Sequence, residues 1–175
     1  PQWRISVNLS AAQLKSGDIL GTVRAALAES GLPGERLELE IAETMLLNSG
    51  AETAASLKRL RELGVSISLD DFGTGYASLN YLREFPFDKI KIDRSFIREL
   101  PTDSASAAIV HSIIHLGQAL GAITTAEGIE TEAQLARVLS EGCGEAQGFL
   151  FGRPCGLNEM RSRYQSQAAA LLSVG

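Results

Sequence analysis

Two adjacent carboxylates follow a short segment of alternating polar and apolar residues. Residues 66–69 have the period of a β-strand, and Asp70 and Asp71 come directly after them. Because successive side chains of a strand face opposite sides, Asp70 continues the polar side and Asp71 lies at the rim. The turn that follows contains Gly73 and Gly75, so its backbone can approach a ligand closely. The pattern indicates a metal or phosphate site, and the alternative is an aspartate that only caps the next helix.

Other polar residues stand in the same way on further predicted strands. Each strand alternates polar and apolar residues, so each has one polar and one apolar side. The predicted strands are 5–9, 37–41, 66–69, 89–93, 123–127 and 145–150. The polar residues near their carboxyl ends are Asn8, Glu40, Asp70, Lys91, Glu127 and Gln147.

Predicted helices separate the strands, and this alternation is typical of a parallel sheet covered by helices. An open parallel sheet is covered on both faces, so its strands are normally apolar throughout. Strands with one polar side therefore predict an α/β fold of the TIM-like (β/α) barrel type, whose polar side chains point into the lumen. Barrel enzymes have their sites at the carboxyl ends of the strands.

The number of predicted strands is smaller than a complete barrel requires. A barrel of this type has eight strands and typically about 250 residues, whereas this sequence has 175 residues and six predicted strands. The first of them begins at residue 5, with almost nothing before it. We therefore expect residues 1–175 to form a single domain, an N-terminally truncated barrel with about six of the strands.

The polar side chains would bring like charges together in the lumen. Glu40, Asp70, Asp71 and Glu127 face only one cation of this set, Lys91. Buried charge without a partner costs on the order of several kcal/mol per ion, and divalent cations can offset it. Oxygen ligands without Cys or His suit Mg²⁺ or Mn²⁺, and the number of acids suggests two ions. Paired metals activate water for attack on phosphate esters, so the residues predict a metal-dependent phosphodiesterase or phosphatase.

The composition excludes several other classes. The net charge of −5 argues against a basic surface for a nucleic-acid polymer. No apolar run of about 18 residues spans a membrane, and the N-terminus has no signal-peptide pattern. Cys143 and Cys155 have neither metal nor disulfide spacing. We expect a cytoplasmic protein, or the cytoplasmic part of a larger membrane-anchored one.

Six motifs in this order resemble the EAL domain, the cyclic di-GMP phosphodiesterase of bacterial signalling proteins. The motifs are Ser-Val-Asn-Leu-Ser at 6–10, Leu-Glu-Leu-Glu-Ile-Ala-Glu at 37–43, Asp-Asp-Phe-Gly-Thr-Gly-Tyr at 70–76, Lys-Ile-Lys-Ile-Asp at 89–93, Ala-Glu-Gly-Ile-Glu at 126–130 and Gln-Gly-Phe at 147–149. The resemblance covers residue 5 to about residue 154. It implies hydrolysis of one phosphodiester of cyclic di-GMP to linear pGpG, with two Mg²⁺ or Mn²⁺ ions.

The resemblance also implies roles for individual residues. In the family, the first metal is held by residues that Asn8, Glu40 and Asp70 resemble. The second metal is surrounded by residues that Asp70, Asp71 and Glu127 resemble. Lys91 resembles the residue that holds and helps to activate the attacking water, and Gln147 resembles a residue that supports the metal-bound water network. The catalytic set implied in this way is Lys91, Glu127, Asp71 and Gln147.

Further residues of the resemblance support the site. Glu43 resembles the glutamate that anchors the loop after Asp71. Glu130 resembles a residue that contacts the site residues without binding the metal itself. Asp93 either caps the next helix or touches the site, and a mixed role is favoured. The loop 72–78 resembles the element that couples dimer contact to metal binding, and 149–154 resembles a segment that lines the guanine pocket.

The sequence departs from the family pattern at its start. The Glu-Ala-Leu motif, whose glutamate ligates a metal, and a nearby arginine belong before the segment matched by 5–10, and Ala42 replaces the usual Thr. We therefore expect weak metal binding and slow or no hydrolysis by this chain alone. Exposed strand edges predict a homodimer, and a diguanylate cyclase or sensor domain could be fused outside the chain. The alternative function is an inactive cyclic di-GMP receptor or dimerisation module.

Three further patterns allow more than one interpretation. Asp71-Phe72-Gly73 also spells the metal motif of kinases, but no glycine-rich phosphate loop precedes it. His111 and His115 have the helical spacing of two zinc ligands, but no glutamate follows His111, so packing histidines are favoured. Lys89 is either a lumen or a surface lysine, and the sequence does not choose.

Overall fold

The computed structural model describes residues 3–15, 18–46, 51–75, 82, 85, 87–100 and 103–162. Its strands are β1 (Ile5–Leu9), β2 (Leu37–Ala42), β3 (Ser66–Phe72), β4 (Lys89–Ile92), β5 (Ile123–Ala126) and β6 (Glu145–Ala146). Its helices are α1 (Ala11–Lys15), α2 (Ile19–Ser30), α3 (Glu43–Leu46), α4 (Ala51–Glu62), α5 (Arg94–Glu99), α6 (Ser104–Leu120) and α7 (Glu132–Ser140), with a 3₁₀ turn at Gly34–Arg36. A further helical segment covers 157–162.

The six strands form one parallel sheet whose spatial order is their order in the chain, β1 to β6. The sheet is curled: Trp3, Arg4 and Ser6 at one edge line the same cavity of about 760 Å³ as residues 145–147 at the other edge. A parallel sheet with sequential strand order and a polar concave face is the arrangement of a (β/α) barrel. The predicted α/β fold with six strands of a TIM-like barrel is confirmed.

The apolar side of the sheet packs against the helices. Ile41, Leu69, Ile90 and Ile92 are fully buried there, and they belong to a core cluster that includes Leu60 of α4. Burying one such side chain stabilises the fold by about 1.5–3 kcal/mol. The alternation of the strands therefore separates a dry helical layer from the polar concave face.

The sequence predicts a capping box from Thr131 and Gln134 and a helix end at Gly121, and the structure confirms both. The capping box of α7 is present, because the Thr131 hydroxyl accepts from the Gln134 amide and the Gln134 side chain accepts from the Thr131 N–H. Asp103 caps α6 with its side chain, which accepts from the Ala105 and Ser106 amides, and Gly121 ends that helix in the left-handed conformation. None of the helices in the described ranges has both the length and the apolar character that crossing a membrane requires.

The structure differs from the sequence prediction at the last strand. Strand β6 is Glu145–Ala146, whereas 145–150 was the predicted range. The chain turns after residue 147 because the Leu150 amide donates to the Ile129 carbonyl and the Phe151 amide to the Gly148 carbonyl. A Cβ atom at Gly148 would lie 2.1 Å from the Ile129 carbonyl oxygen, so only glycine permits this close approach.

Two short helices, α1 and α3, were not predicted. The sequence also predicts a short helix that carries Leu79 and Leu82 and a terminal helix over 158–172. Most of the first helix, and the part of the second beyond residue 162, lie outside the described residues. The apolar side of β1 also differs from the expectation that apolar strand faces are covered by helices. Ile5 and Val7 on this side are 51% and 45% exposed.

Candidate metal centre

A bulge at the end of β3 brings the two adjacent aspartates to one side of the sheet. β3 pairs with β4 at Leu69 and Ile90 and pairs again at Phe72 and Ile92, so two residues of β3 stand opposite one residue of β4. The second of these, Asp71, has φ 55°, a left-handed conformation that aspartate tolerates better than most residues. The extra residue returns the Phe72 side chain to the core, where it is buried.

The carboxylates of Asp70 and Asp71 meet that of Glu127, which comes directly after β5. One ligand oxygen from each of the three lies within 4.8 Å of the others. Among the described residues, this is the only group of His, Cys, Asp and Glu side chains close enough to hold an ion. Oxygen donors without nitrogen or sulfur fit a hard divalent cation such as Mg²⁺, Mn²⁺ or Ca²⁺.

Lys91 joins this group to a fourth carboxylate. Its Nζ atom lies 2.6 Å from Glu127 Oε1, 2.9 Å from Asp70 Oδ1 and 3.0 Å from Glu40 Oε1. We call Lys91, Glu40, Asp70, Asp71 and Glu127 the upper network. It contains four carboxylates and one ammonium, so it retains negative charge that a divalent cation can offset.

Burial and mutual repulsion shift the protonation of the upper network. Burial raises the pKa of Glu127; the hydrogen bond and charge of Lys91 oppose this, and the charges of Asp70 and Glu40 add to it. Burial and the charges of Asp70 and Asp93 likewise raise the pKa of Asp71. Burial lowers the pKa of Lys91, but hydrogen bonds to Glu127 and Asp70 outweigh it, so that pKa lies above its ordinary value. The carboxyl groups of Asp71 and Glu127 therefore hold a proton more readily than ordinary carboxyl groups do.

Glu43 holds the backbone after the bulge. Its carboxylate accepts from the Gly73 amide at 2.8 Å and from the Gly75 amide at 3.4 Å, and the residue is 1% exposed. Gly73 has φ 100°, and a Cβ atom there would lie 2.8 Å from the Phe96 ring. The loop after Asp71 is therefore fixed at its start. The rest of the loop predicted to couple dimer contact to metal binding, 76–78, lies outside the described residues.

Of the other predicted site residues, Asn8, Gln147 and Asp93 lie at the carboxyl ends of β1, β6 and β4, whereas Glu130 lies at the start of α7. Asn8 is paired in register with Glu40, and its side chain is exposed. Gln147 follows β6, where its amide donates to the Ala126 carbonyl, and its side chain is exposed. Asp93 caps α5 by accepting from the Ser95 amide and lies beside Asp71. Glu130 is exposed, and its amide donates to the Gln134 side chain.

A second ion network, which the sequence did not predict, lies on the same face of the sheet. Its residues stand two positions closer to the amino ends of the strands than those of the upper network. Lys89 Nζ lies 2.7 Å from Glu38 Oε2 and 2.7 Å from Glu145 Oε2. The Ser6 hydroxyl donates to Glu38, and the Thr125 hydroxyl donates to Glu145. We call these five residues the lower network. It places Lys89 in the lumen and answers the question that the sequence left open.

The sequence contains a weak signal for the two features that were not predicted, the lower network and the bulge in β3. Glu38 and Lys89 stand two residues before Glu40 and Lys91, so alternation puts them on the same side. In the bulge, two polar residues separate Leu69 from Phe72, and both of those must reach the core. A regular strand cannot satisfy this spacing, but one extra residue can.

The segment predicted to line a base pocket forms a second concavity. Residues 146–155, with Met160, line a cavity of about 510 Å³. Phe149 and Phe151 are 48% and 57% exposed, and the Arg153 guanidinium lies 4.4 Å from the centroid of the Phe149 ring. Exposed aromatic rings beside the carboxyl ends of the strands could stack on a planar group.

The fold and the site together define a class: a parallel α/β domain of the barrel type with an acidic, oxygen-only centre at the carboxyl ends of its strands. A family model described as the EAL domain matches residues 1–154. This match covers most of the chain, and the chain belongs to the EAL domain family.

Curated relatives agree with this family. The bifunctional diguanylate cyclase/cyclic di-GMP phosphodiesterase MucR of Pseudomonas aeruginosa is 46% identical over 152 residues, which are 87% of this chain and 22% of MucR. The cyclic di-GMP phosphodiesterase NbdA of the same organism is 44% identical over 169 residues, which are 95% of this chain and 22% of NbdA. The chain thus spans about a fifth of the length of these two relatives.

Solved structures show the same fold. The MucR phosphodiesterase in complex with cyclic di-GMP superimposes with a TM-score of 0.86 at 44% identity, covering 90% of this chain and 64% of that one. The manganese and cyclic di-GMP complex of Klebsiella pneumoniae BlrP1 at pH 9.0 superimposes with a TM-score of 0.81 at 34% identity, covering 87% of this chain and 39% of that one.

Proposed function

We propose that this chain carries the catalytic face of a metal-dependent phosphodiesterase that hydrolyses cyclic di-GMP to linear pGpG. The observation that carries the proposal is the meeting of Asp70, Asp71 and Glu127 within 4.8 Å at the carboxyl ends of β3 and β5. Relatives named as cyclic di-GMP phosphodiesterases supply the substrate class.

The cations are proposed to be Mg²⁺ or Mn²⁺. Asp70, Asp71 and Glu127 would hold one ion, and Glu40 and Asn8 would share Asp70 in holding a second. The cations, when bound, supply positive charge to the phosphate group and lower the pKa of water at the site. The donor chemistry supports hard ions, and the manganese complex of BlrP1 supports Mn²⁺ as the ion to test first.

Lys91 is proposed to position the water that attacks phosphorus. Its ammonium contacts Glu40, Asp70 and Glu127, so its side chain is fixed between strands β2, β3 and β5. From that position it can donate a hydrogen bond to a water without rearranging. A fixed donor stabilises developing charge more than a mobile one, because it needs no reorganisation during the reaction.

The test is hydrolysis of cyclic di-GMP by the purified protein with Mn²⁺ and with a chelator, with pGpG measured as the product. Asp70→Asn should abolish the Mn²⁺-dependent rate, while Glu132→Gln, an exposed change in the first turn of α7, should not alter it. Equal rates with Mn²⁺ and with the chelator would contradict the metal role. Tight binding of cyclic di-GMP without pGpG would favour the receptor function instead.

A further inference from the structure

The lower network crosses the lumen between strands that are not neighbours. Lys89 belongs to β4, whereas its partners Glu38 and Glu145 belong to β2 and β6. In the sheet, β3 separates β2 from β4, and β5 separates β4 from β6. Backbone hydrogen bonds fix adjacent strands, but they leave the curvature across several strands free to vary. Contacts across the concave face restrict that curvature.

The contact of Lys89 with Glu38 is buried enough to hold a fixed geometry, whereas the Glu145 side chain is 41% exposed. Glu38 is 2% exposed and Lys89 is 8% exposed. A charge removed from water must be paired closely, because a separated pair loses the attraction that offsets its desolvation. The hydroxyl groups of Ser6 and Thr125 each donate to one of the two carboxylates, which fixes the carboxylates further.

Each member of the lower network stands two residues before a residue of the proposed site. Two residues is one full period of a strand, so both side chains of each pair share the concave face. The pairs are Ser6 with Asn8, Glu38 with Glu40, Lys89 with Lys91, Thr125 with Glu127 and Glu145 with Gln147. Whatever fixes the lower residues therefore fixes the strand positions from which the site residues project.

We propose that Lys89 and Glu38 are positioning residues: the Lys89 network holds β2, β4 and β6 at the curvature that lets the ligands of the upper network converge on a cation. The inference rests on the proposed function. Lys91 also crosses the lumen, but its partners are the proposed ligands themselves, and their oxygens are needed by the cation. The lower network holds the same strands with groups that the cation does not need.

The charge-neutral double variant Glu38→Gln/Lys89→Met separates positioning from electrostatics. It removes one negative and one positive charge together, so an electrostatic role predicts unchanged Mn²⁺ affinity. The single change Lys89→Met removes only a positive charge and should tighten Mn²⁺ binding if electrostatics alone acts. Positioning predicts the opposite sign for the single change and weaker binding for both variants, by about tenfold, as for other residues that orient metal ligands.

The experiment measures the Mn²⁺ dissociation constant from the paramagnetic resonance signal of free Mn²⁺, with thermal unfolding recorded on the same samples. Arg61→Met is the matched control, because Arg61 of α4 pairs at 2.6 Å with Asp88, the residue directly before β4, and this pair is partly exposed to solvent. It should lower stability slightly without changing the dissociation constant. Thr125→Val, which removes one hydrogen bond of the network, serves as a milder variant and should weaken Mn²⁺ binding by a smaller factor.

The outcomes separate the two proposals. Wild-type binding with a tenfold loss in the double variant supports the inference. Wild-type binding with unchanged or tighter binding in the double variant and in Thr125→Val overturns the positioning role and leaves the proposed function intact. Absence of Mn²⁺ binding by the wild type overturns the proposed function and the inference together.

Discussion

Two ion networks lie on the same face of the same sheet, one register step apart, and their charges differ. The upper network has four carboxylates against the single ammonium of Lys91. The lower network has two carboxylates against Lys89, and the nearby guanidinium of Arg4 adds a second positive charge that acts on Glu145. The lower network is therefore close to neutral, and the upper network is strongly acidic.

This difference in charge indicates that the lower network has a structural role and that the upper network is the candidate cation site. A buried network that balances its own charges can hold strands without help. A network with excess carboxylates is satisfied only by protons or by added cations, and the pKa values of Asp71 and Glu127 are raised in line with this excess of negative charge. Charge imbalance, more than the number of acids, thus distinguishes a candidate cation site from a structural network.

The largest expected effect is on activity, at the upper network. Lys91→Met should lower the rate of cyclic di-GMP hydrolysis by about 100- to 1,000-fold, since it removes a fixed donor at the reacting group. It should leave Mn²⁺ binding intact or tighter, because the carboxylates lose a competing positive charge. Rate assays and Mn²⁺ titrations of the same sample test this. A variant that loses Mn²⁺ binding would show that Lys91 organises the ligands instead.

The next effect is on stability, at the lower network. Lys89→Met leaves the buried Glu38 carboxylate without its partner and should cost about 3 kcal/mol of unfolding free energy. Arg61→Met breaks a surface pair between α4 and Asp88, the residue before β4, and should cost less than about 1 kcal/mol. Urea unfolding without metal measures both. Equal losses in the two variants would contradict the claim that the lower network is buried and structural.

The sequence predicts the members of the upper network better than their geometry. Alternation alone places Glu40, Asp70 and Lys91 on one side of a curved sheet, and the strand ends place Glu127 near them. Alternation does not predict the bulge in β3, because in a regular strand the Asp71 carboxylate would lie on the face opposite to Asp70. Only the demand that Phe72 be buried, which is a tertiary property, selects the extra residue.

The lower network shows a different limit of sequence analysis. Glu38, Lys89 and Glu145 are far apart in the chain, and their contact depends on the register of five strand pairs and on the curvature of the sheet. Alternation predicts the face on which each stands, but it does not predict which carboxylate an ammonium reaches. The outer side of β1 is a further case, since apolar Ile5 and Val7 are exposed although their pattern matches that of the covered strands.

A smaller effect is expected between the two networks. Ser68 is paired in register with Glu40 on one side and with Lys89 on the other, and its side chain is fully buried. Its hydroxyl oxygen has no hydrogen-bond partner within the described part of the chain. Ser68→Ala should therefore raise the unfolding free energy by about 1 kcal/mol. A loss of stability in urea unfolding would instead indicate a water that bridges the two networks through this hydroxyl.

The smallest effect is a contrast in pH dependence between one carboxylate of each network in the metal-free protein. Burial raises the folded pKa of Glu127, so its contribution to stability is present below the unfolded pKa and is lost as pH rises through the folded pKa. Burial also raises the pKa of Glu145, but the hydrogen bond and charge of Lys89 outweigh it, and the folded pKa lies below the unfolded value. Its contribution is therefore present above the unfolded pKa and is lost as pH falls through the folded pKa.

The two neutral variants should change the pH profile of stability in opposite directions. Glu127→Gln should reduce the loss of stability on the alkaline side of the carboxylate range, and Glu145→Gln should remove a gain of stability there. Thermal unfolding at a series of pH values from acid to neutral, with a chelator present, measures both profiles. Because Glu145 is 41% exposed at its side chain, its effect should be the weaker of the two and should shrink with added salt. Profiles that shift in the same direction would mean that the networks do not differ in charge balance.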